Sequence, residues 1–335
     1  MARSRSGITE GAVNGWAALY LTNGVLAVTV LPGKGADIYE ITDLATGIDP
    51  LFKAPWGLQP PGAPAREGSD GAAFLENYEG GWQELLPNTN DACTHQGTPV
   101  PFHGEVATRP WSVAVQADAG EHVAVRLSVD CETVPLRLER LMTLRSGQRG
   151  LELSERVTNR SAAPVQFTWG HHCVLGPPLV AAGAVLRTPA RTIITAPQAW
   201  EDTARLEPGQ RSAWPLAQGR DGSGAVDLSH VPGPEAASHD DVFLTGLGGG
   251  WAEVGHPAVG IAFRLEWDPA VFGWIISWQP YGGARAMPLR GAYALGIEPW
   301  AAGGNLEHAA ATGEALRLDA RAHLDTTLTA SFRPW

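Results

Sequence analysis

The chain has 335 residues, with 24 Lys and Arg against 35 Asp and Glu, a formal charge of −11. That balance argues against a nucleic-acid partner, which needs clustered cations to displace counterions, and no apolar run approaches the ~20 residues of a membrane-spanning helix. The three cysteines, an odd number without metal-type spacing, read as reduced thiols of a cytoplasmic protein. The segment Met1 to Trp16 carries Arg3 and Arg5 but no apolar stretch, so no export signal is expected there.

The first element is a hairpin, Leu19 and Leu21 facing Val25 to Val30 across Asn23-Gly24, a pair suited to a type I′ turn. Another strand follows at Ala36 to Leu44. Residues 54 to 72 and 88 to 101 read as long loops, a length often reserved for function. From Val123 the apolar positions alternate: Val123, Val125, Leu127 and Val129, then Leu136, Leu138, Met142 and Leu144, then Leu151, Leu153 and Val157. Period-two alternation means strands buried on one face, and Arg126, Arg137, Glu139, Glu152 and Glu155 are assigned to the solvated face. Residues 206 to 238 read as a surface connection, with strands resuming at Val242 to Leu247, Gly260 to Trp267, Trp274 to Trp278 and Leu324 to Phe332. No amphipathic helix exceeds about three turns. The expectation is one all-β domain over residues 1–335, a sandwich of large sheets.

Four islands concentrate polar groups where strands meet loops. The first contains Trp82, Gln83 and Asn88 beside Gly80-Gly81, and the second contains His103-Gly104 followed by Trp111. Alone, the first reads as a structural turn and His103 as a packed residue as readily as a ligand-facing one. The third is Gly170-His171-His172-Cys173, where adjacent histidines on a strand point to opposite faces. Such a pair diverges too far for a metal grid, so no metal is expected, and the sequence offers no cofactor motif. The fourth places Glu298 inside the apolar run Leu295 to Trp300, where burial would raise its pKa and make it a better base. A salt-bridged carboxylate at a strand end is the other reading. Thirteen Trp suit either sugar stacking or the filling of a large β core.

The order of these islands resembles the aldose 1-epimerase (galactose mutarotase) superfamily. The matching positions are His103-Gly104 with Trp111, Val157-Thr158-Asn159-Arg160-Ser161, Gly170-His171-His172, Asp240-Asp241-Val242-Phe243, and Glu298-Pro299-Trp300 ahead of Thr312-Gly313-Glu314. The resemblance runs from about residue 16 to 333 and implies a galactose mutarotase-like β-supersandwich. It departs at Cys173 and Leu175, where the family pattern has Pro and Phe, and at Thr98 to Phe102, which replaces an Asn-rich lead-in. The motif Gly80-Gly81-Trp82-Gln83 with Leu86-Pro87-Asn88 points to a divergent branch. By resemblance Glu298 is the base that deprotonates the anomeric hydroxyl and His172 the acid that protonates the ring oxygen. His103 helps hold the ring, Asp240 grips sugar hydroxyls, and His171, Gln83, Asn88 and Trp82 line the cleft. The two catalytic groups are expected to converge across a gap the width of a pyranose.

The implied ligand is a small-molecule sugar bound by a monomer or homodimer, without a membrane or nucleic-acid partner. A sugar-binding protein without turnover is the alternative, since one fold serves many functions. A phosphorylated or acidic sugar is a third reading and needs cations in the cleft. Lys34, Lys53, Arg66, Arg285 and Arg290 are the loop residues that could supply them.

Overall fold

The computed structural model describes residues 6–63 and 73–335. Among these, strands dominate, gathered into a 12-stranded sheet and an eight-stranded sheet with three small two-stranded ribbons. The period-two segments become the long antiparallel strands His122–Asp130, Leu136–Arg145, Gly150–Asn159 and His323–Pro334 of the eight-stranded sheet. Their inward side chains, among them Val125, Leu138, Met142, Leu153 and Leu328, meet Leu21, Val28, Ile38, Trp82, Cys173 and Leu244 of the larger sheet in one apolar cluster. The opposite face of the larger sheet carries a second cluster, including Phe52, Phe74, Tyr78, Val174, Ile276, Trp278 and Trp300.

Two local expectations change. At Asn23-Gly24 only Gly24 takes positive φ. Asn23 instead accepts hydrogen bonds at Oδ1 from the Val25 and Leu26 amides and donates through Nδ2 to the Arg145 and Gln148 carbonyls. The side chain thereby ties the turn to the other sheet. The two-residue turn of left-handed residues lies one hairpin earlier, at Asn14 (φ 44°) and Gly15 (φ 87°), between strands Gly7–Val13 and Trp16–Thr22.

Glu155, assigned to the solvated face, is buried, as is Arg140. Glu155 is in phase with Leu151, Leu153 and Val157, and Arg140 with Leu138 and Met142. Alternation therefore carries both charges inward, where they meet Glu84 and His171. The expected loop at 88–101 contains a hairpin, Cys93–His95 with Thr98–Val100, whose three-residue arms are too short to show a period. Part of the 54–72 loop lies outside the described residues. Helices are short: Ala73–Asn77, and Leu306–Thr312, which is capped by the Asn305 side chain accepting from the His308 amide. Among the described residues no helix is long and apolar enough to cross a membrane.

Candidate active site

A cavity of about 650 Å³ opens on the outer face of the 12-stranded sheet. Its floor is set by strand alternation. Strand Gly170–Leu175 sends His172 into the cavity, while His171 and Cys173 go to the interior. Strand Ser238–Thr245 sends His239, Asp241 and Phe243 to the cavity, strand Trp274–Tyr281 sends Trp274, Ile276 and Trp278, and strand Glu298–Trp300 sends Glu298 and Trp300. Antiparallel register places Glu298 beside Ile276, Ile276 beside Phe243, and Phe243 beside Ile194 of strand Thr192–Thr195.

His172 Nε2 and Glu298 Oε1 lie 3.8 Å apart. That is too long for a hydrogen bond and far less than the width of a sugar ring, so the expected separation is corrected. The spacing instead suits two groups addressing two oxygens bonded to one carbon. Both residues are buried, and His172 Nδ1 and Glu298 Oε1 have no hydrogen-bond partner. Burial pushes the Glu298 carboxyl well above its ordinary value, the Asp241 charge adds to this, and the Trp300 indole pulls the other way. Burial pushes the His172 imidazole down to about 3. The dry site thus favours the neutral form of both groups.

Aromatic rings wall the pair. Tyr78 lies 5.1 Å and Phe74 5.2 Å from the His172 ring, centroid to centroid, and His103 lies 5.4 Å away. His103 stacks on Phe102 at 3.8 Å and leaves its Nδ1 unpartnered. Its pKa is held well below the ordinary value by burial first and by His172 second. A left-handed backbone at His103 and Gly104 delivers the ring to the cavity, and at Gly104 any Cβ would run into the Leu86 carbonyl. The Tyr78 hydroxyl is also buried and unpartnered.

The structure brings His172, Glu298 and His103 together and leaves the other five sequence candidates off the cavity lining. Asp240 faces away from the cavity, where Arg205 Nε at 3.0 Å and the Arg205 and Leu206 amides bind its carboxylate. Asp241, one residue on, lines the cavity and makes no side-chain hydrogen bond among the described residues. His171 lies in a buried quartet. Its Nε2 is 3.1 Å from Glu155, its Nδ1 3.3 Å from Glu84, and Arg140 pairs with both carboxylates. Glu84, Glu155 and His171 offer three metal-type donor atoms within 4.8 Å of one another, but the Arg140 guanidinium already binds both carboxylates. Trp82 donates its indole N–H to His171 from the apolar core, 3.2 Å away. Gln83 donates to the Gly80 carbonyl.

Asn88 is a staple. Its Nδ2 donates to the carbonyls of Asn90, Asp91 and Pro101, and its Oδ1 accepts from the Leu306 amide. It therefore ties the strand containing Gln83, the lead-in to His103 and the short helix beside the cavity. Another support is the chain Trp278–His239–Glu201. The Trp278 indole donates to His239 Nε2 at 2.8 Å, so Nδ1 carries the proton toward Glu201 Oε2 at 3.2 Å. The sequence reading missed Asp241, Tyr78, His239 and the floor tryptophans as site residues. For Asp241 and Trp278 the available signal was phase: each shares the parity of Phe243 or Ile276 along its strand.

Residues 13–331 match the model of a family described as "Domain of unknown function (DUF4432)". No curated protein matches. Solved structures resemble the chain in fold at low identity. A candidate aldose 1-epimerase from Klebsiella pneumoniae aligns at TM-score 0.75 with 17% identity, over 97% of this chain and 83% of its own. A galactose mutarotase-like protein from Clostridium acetobutylicum aligns at TM-score 0.66 with 14% identity, over 99% of each chain. A galactose mutarotase related enzyme from Lactobacillus acidophilus aligns at TM-score 0.62 with 16% identity, over 94% of this chain and 97% of its own. The fold is therefore the all-β, galactose mutarotase-like sandwich.

Proposed function

We propose that this chain, which belongs to the DUF4432 family and has a galactose mutarotase-like fold, is an aldose 1-epimerase-like enzyme that interconverts the anomers of a neutral sugar. The observation that carries the proposal is the 3.8 Å approach of His172 Nε2 to Glu298 Oε1 in the cavity, with unpartnered polar atoms on both residues.

Anomer exchange opens a hemiacetal and closes it on the other face. Opening removes the proton from the anomeric hydroxyl, breaks the bond between the anomeric carbon and the ring oxygen, and protonates that oxygen. The two oxygens share one carbon, so two groups 3.8 Å apart can serve both. The pair needs one proton between its members. On this proposal it sits on Glu298 at rest, the form burial favours, and His172 is the neutral base. His172 then accepts the hydroxyl proton as Glu298 donates to the ring oxygen, and closure returns both protons. This order inverts the roles drawn from the resemblance while keeping the same two residues. His103, through Nδ1, and Asp241, through its free carboxylate, are the groups proposed to hold the sugar hydroxyls.

Charge argues for a neutral substrate. Asp91, Asp241 and Glu314 line the cavity beside the protonated Glu298, and no Lys or Arg among the described residues does. Lys34 is paired with Asp37 and Glu79, Lys53 with Asp49, and Arg285 with Asp202. Arg290 donates to the Arg285 carbonyl, and Arg66 lies outside the described residues. NMR exchange spectroscopy on a panel of aldoses tests the proposal. Wild-type protein should accelerate anomer exchange of at least one, and Glu298→Gln should lose at least 100-fold of that rate, the usual worth of a positioned acid–base group being about 10²–10⁴-fold. A wild-type protein that accelerates none rejects the enzyme.

A further inference from the structure

The cavity is larger and longer than one sugar ring requires. At about 30 Å³ per water, a hexopyranose displaces roughly six waters, ~200 Å³, against about 650 Å³ of cavity. The surplus has a direction. Glu298, Ile276, Phe243 and Ile194 are successive cross-strand neighbours on the cavity floor. Strand spacings of about 4.8 Å carry this row roughly 14 Å from the acid–base pair. After Glu298 every member of the row is apolar. Trp274 and Leu289 pack in the same cluster as Ile276 and Phe243, and Trp200, 57% exposed, lines the cavity from the loop after strand Thr192–Thr195.

The buried, unpartnered polar atoms of the cavity gather elsewhere. The unpartnered His103 Nδ1, Tyr78 hydroxyl and Glu298 Oε1 all belong to the aromatic box around His172. A second sugar ring on the Ile276–Phe243–Ile194 row would set hydroxyls against side chains that cannot pair with them, at a desolvation cost. An apolar group there would exchange water for contact with aliphatic and aromatic surface.

We propose that the Ile276–Phe243–Ile194 row with Trp274, Leu289 and Trp200 is a second subsite, and that the substrate is an uncharged reducing sugar bearing an apolar substituent away from its anomeric carbon. The anomeric hydroxyl must stay free for ring opening, so the substituent enters through another position. This rests on the proposed function for the identity of the sugar end, while the row itself is independent of turnover.

Calorimetry with the 3-, 4- and 6-O-benzyl ethers of D-glucose and D-galactose, each against its parent sugar, tests it. At least one ether should bind tenfold or more tighter than its parent. Trp200→Ala, a substitution at an exposed side chain, and the β-branched Ile194→Thr should each cut that preference at least threefold. Ethers that bind no tighter than the parents, or not at all, overturn the subsite, as does a preference that both variants leave intact. Anomer exchange on the same samples separates the two claims. Preference without exchange keeps the subsite and rejects the enzyme; exchange without preference does the reverse.

Discussion

Burial favours the protonated form of Glu298. Its carboxyl is raised by burial and by the Asp241 charge, so the folded protein keeps a proton that the unfolded chain releases near the ordinary value of 4.5. Stability therefore falls as pH rises from that value toward the raised folded pKa, by up to about 1.4 kcal/mol per pH unit. Glu298→Gln removes the titration and keeps the shape. Its gain in urea midpoint over wild type should be larger at pH 8 than at pH 5, and an equal gap at both would mean the carboxyl titrates normally. His172 has the opposite sign. With its pKa lowered to about 3, the stability that comes with keeping it neutral is complete above 6.5 and lost as pH falls toward 3. The two residues that make the site also set an acid and an alkaline edge to the fold.

Asn88 shows how one side chain serves several elements. Replacing it with Ala strands three carbonyls and the Leu306 amide, at an expected cost of about 2–4 kcal/mol, measurable by urea unfolding. The proposed anomer exchange by folded Asn88→Ala should fall as well, because the Pro101 carbonyl it holds leads directly into His103. The buried quartet behaves differently. Arg140→Met leaves Glu84 and Glu155 facing each other without a guanidinium and should cost about 3–5 kcal/mol. Adding Glu84→Gln and Glu155→Gln should recover part of it, and no recovery would mean that packing, not charge, sets the loss. Strands with clean alternation were legible in the sequence, because period-two burial is a property of the segment itself. What alternation also encoded is that Arg140 and Glu155 point inward, and a reading by charge alone set Glu155 on the solvated face. The site was legible in part: three of the eight candidate residues line the cavity. His103, His172 and Glu298 face the cavity, but Asp241 does so in place of the expected Asp240, because the motif gives the segment and only the strand's phase gives the face. Asn88 and Trp82 lie in the right segment and support the site from outside it, a distinction that depends on tertiary hydrogen bonds no local pattern carries.

At the scale of the whole molecule, the net charge of −11 and the acidic cavity act together. Glucose 6-phosphate should stabilise the protein less than glucose in a thermal-shift assay, most clearly at low salt, where screening is weakest. Stronger stabilisation by the phosphate would point to a cation beyond the described residues. The cavity also has a consequence for how the protein can be taken apart. Its walls come from Tyr78, His103, His172, Asp241 and Glu298, so a lengthy tract of chain must fold before a ligand has anywhere to sit. Such a pocket cannot be lifted onto a smaller scaffold as a cassette. Occupancy by any tight binder should instead register as resistance of distant segments to proteolysis, making digestion a readout of ligand discovery.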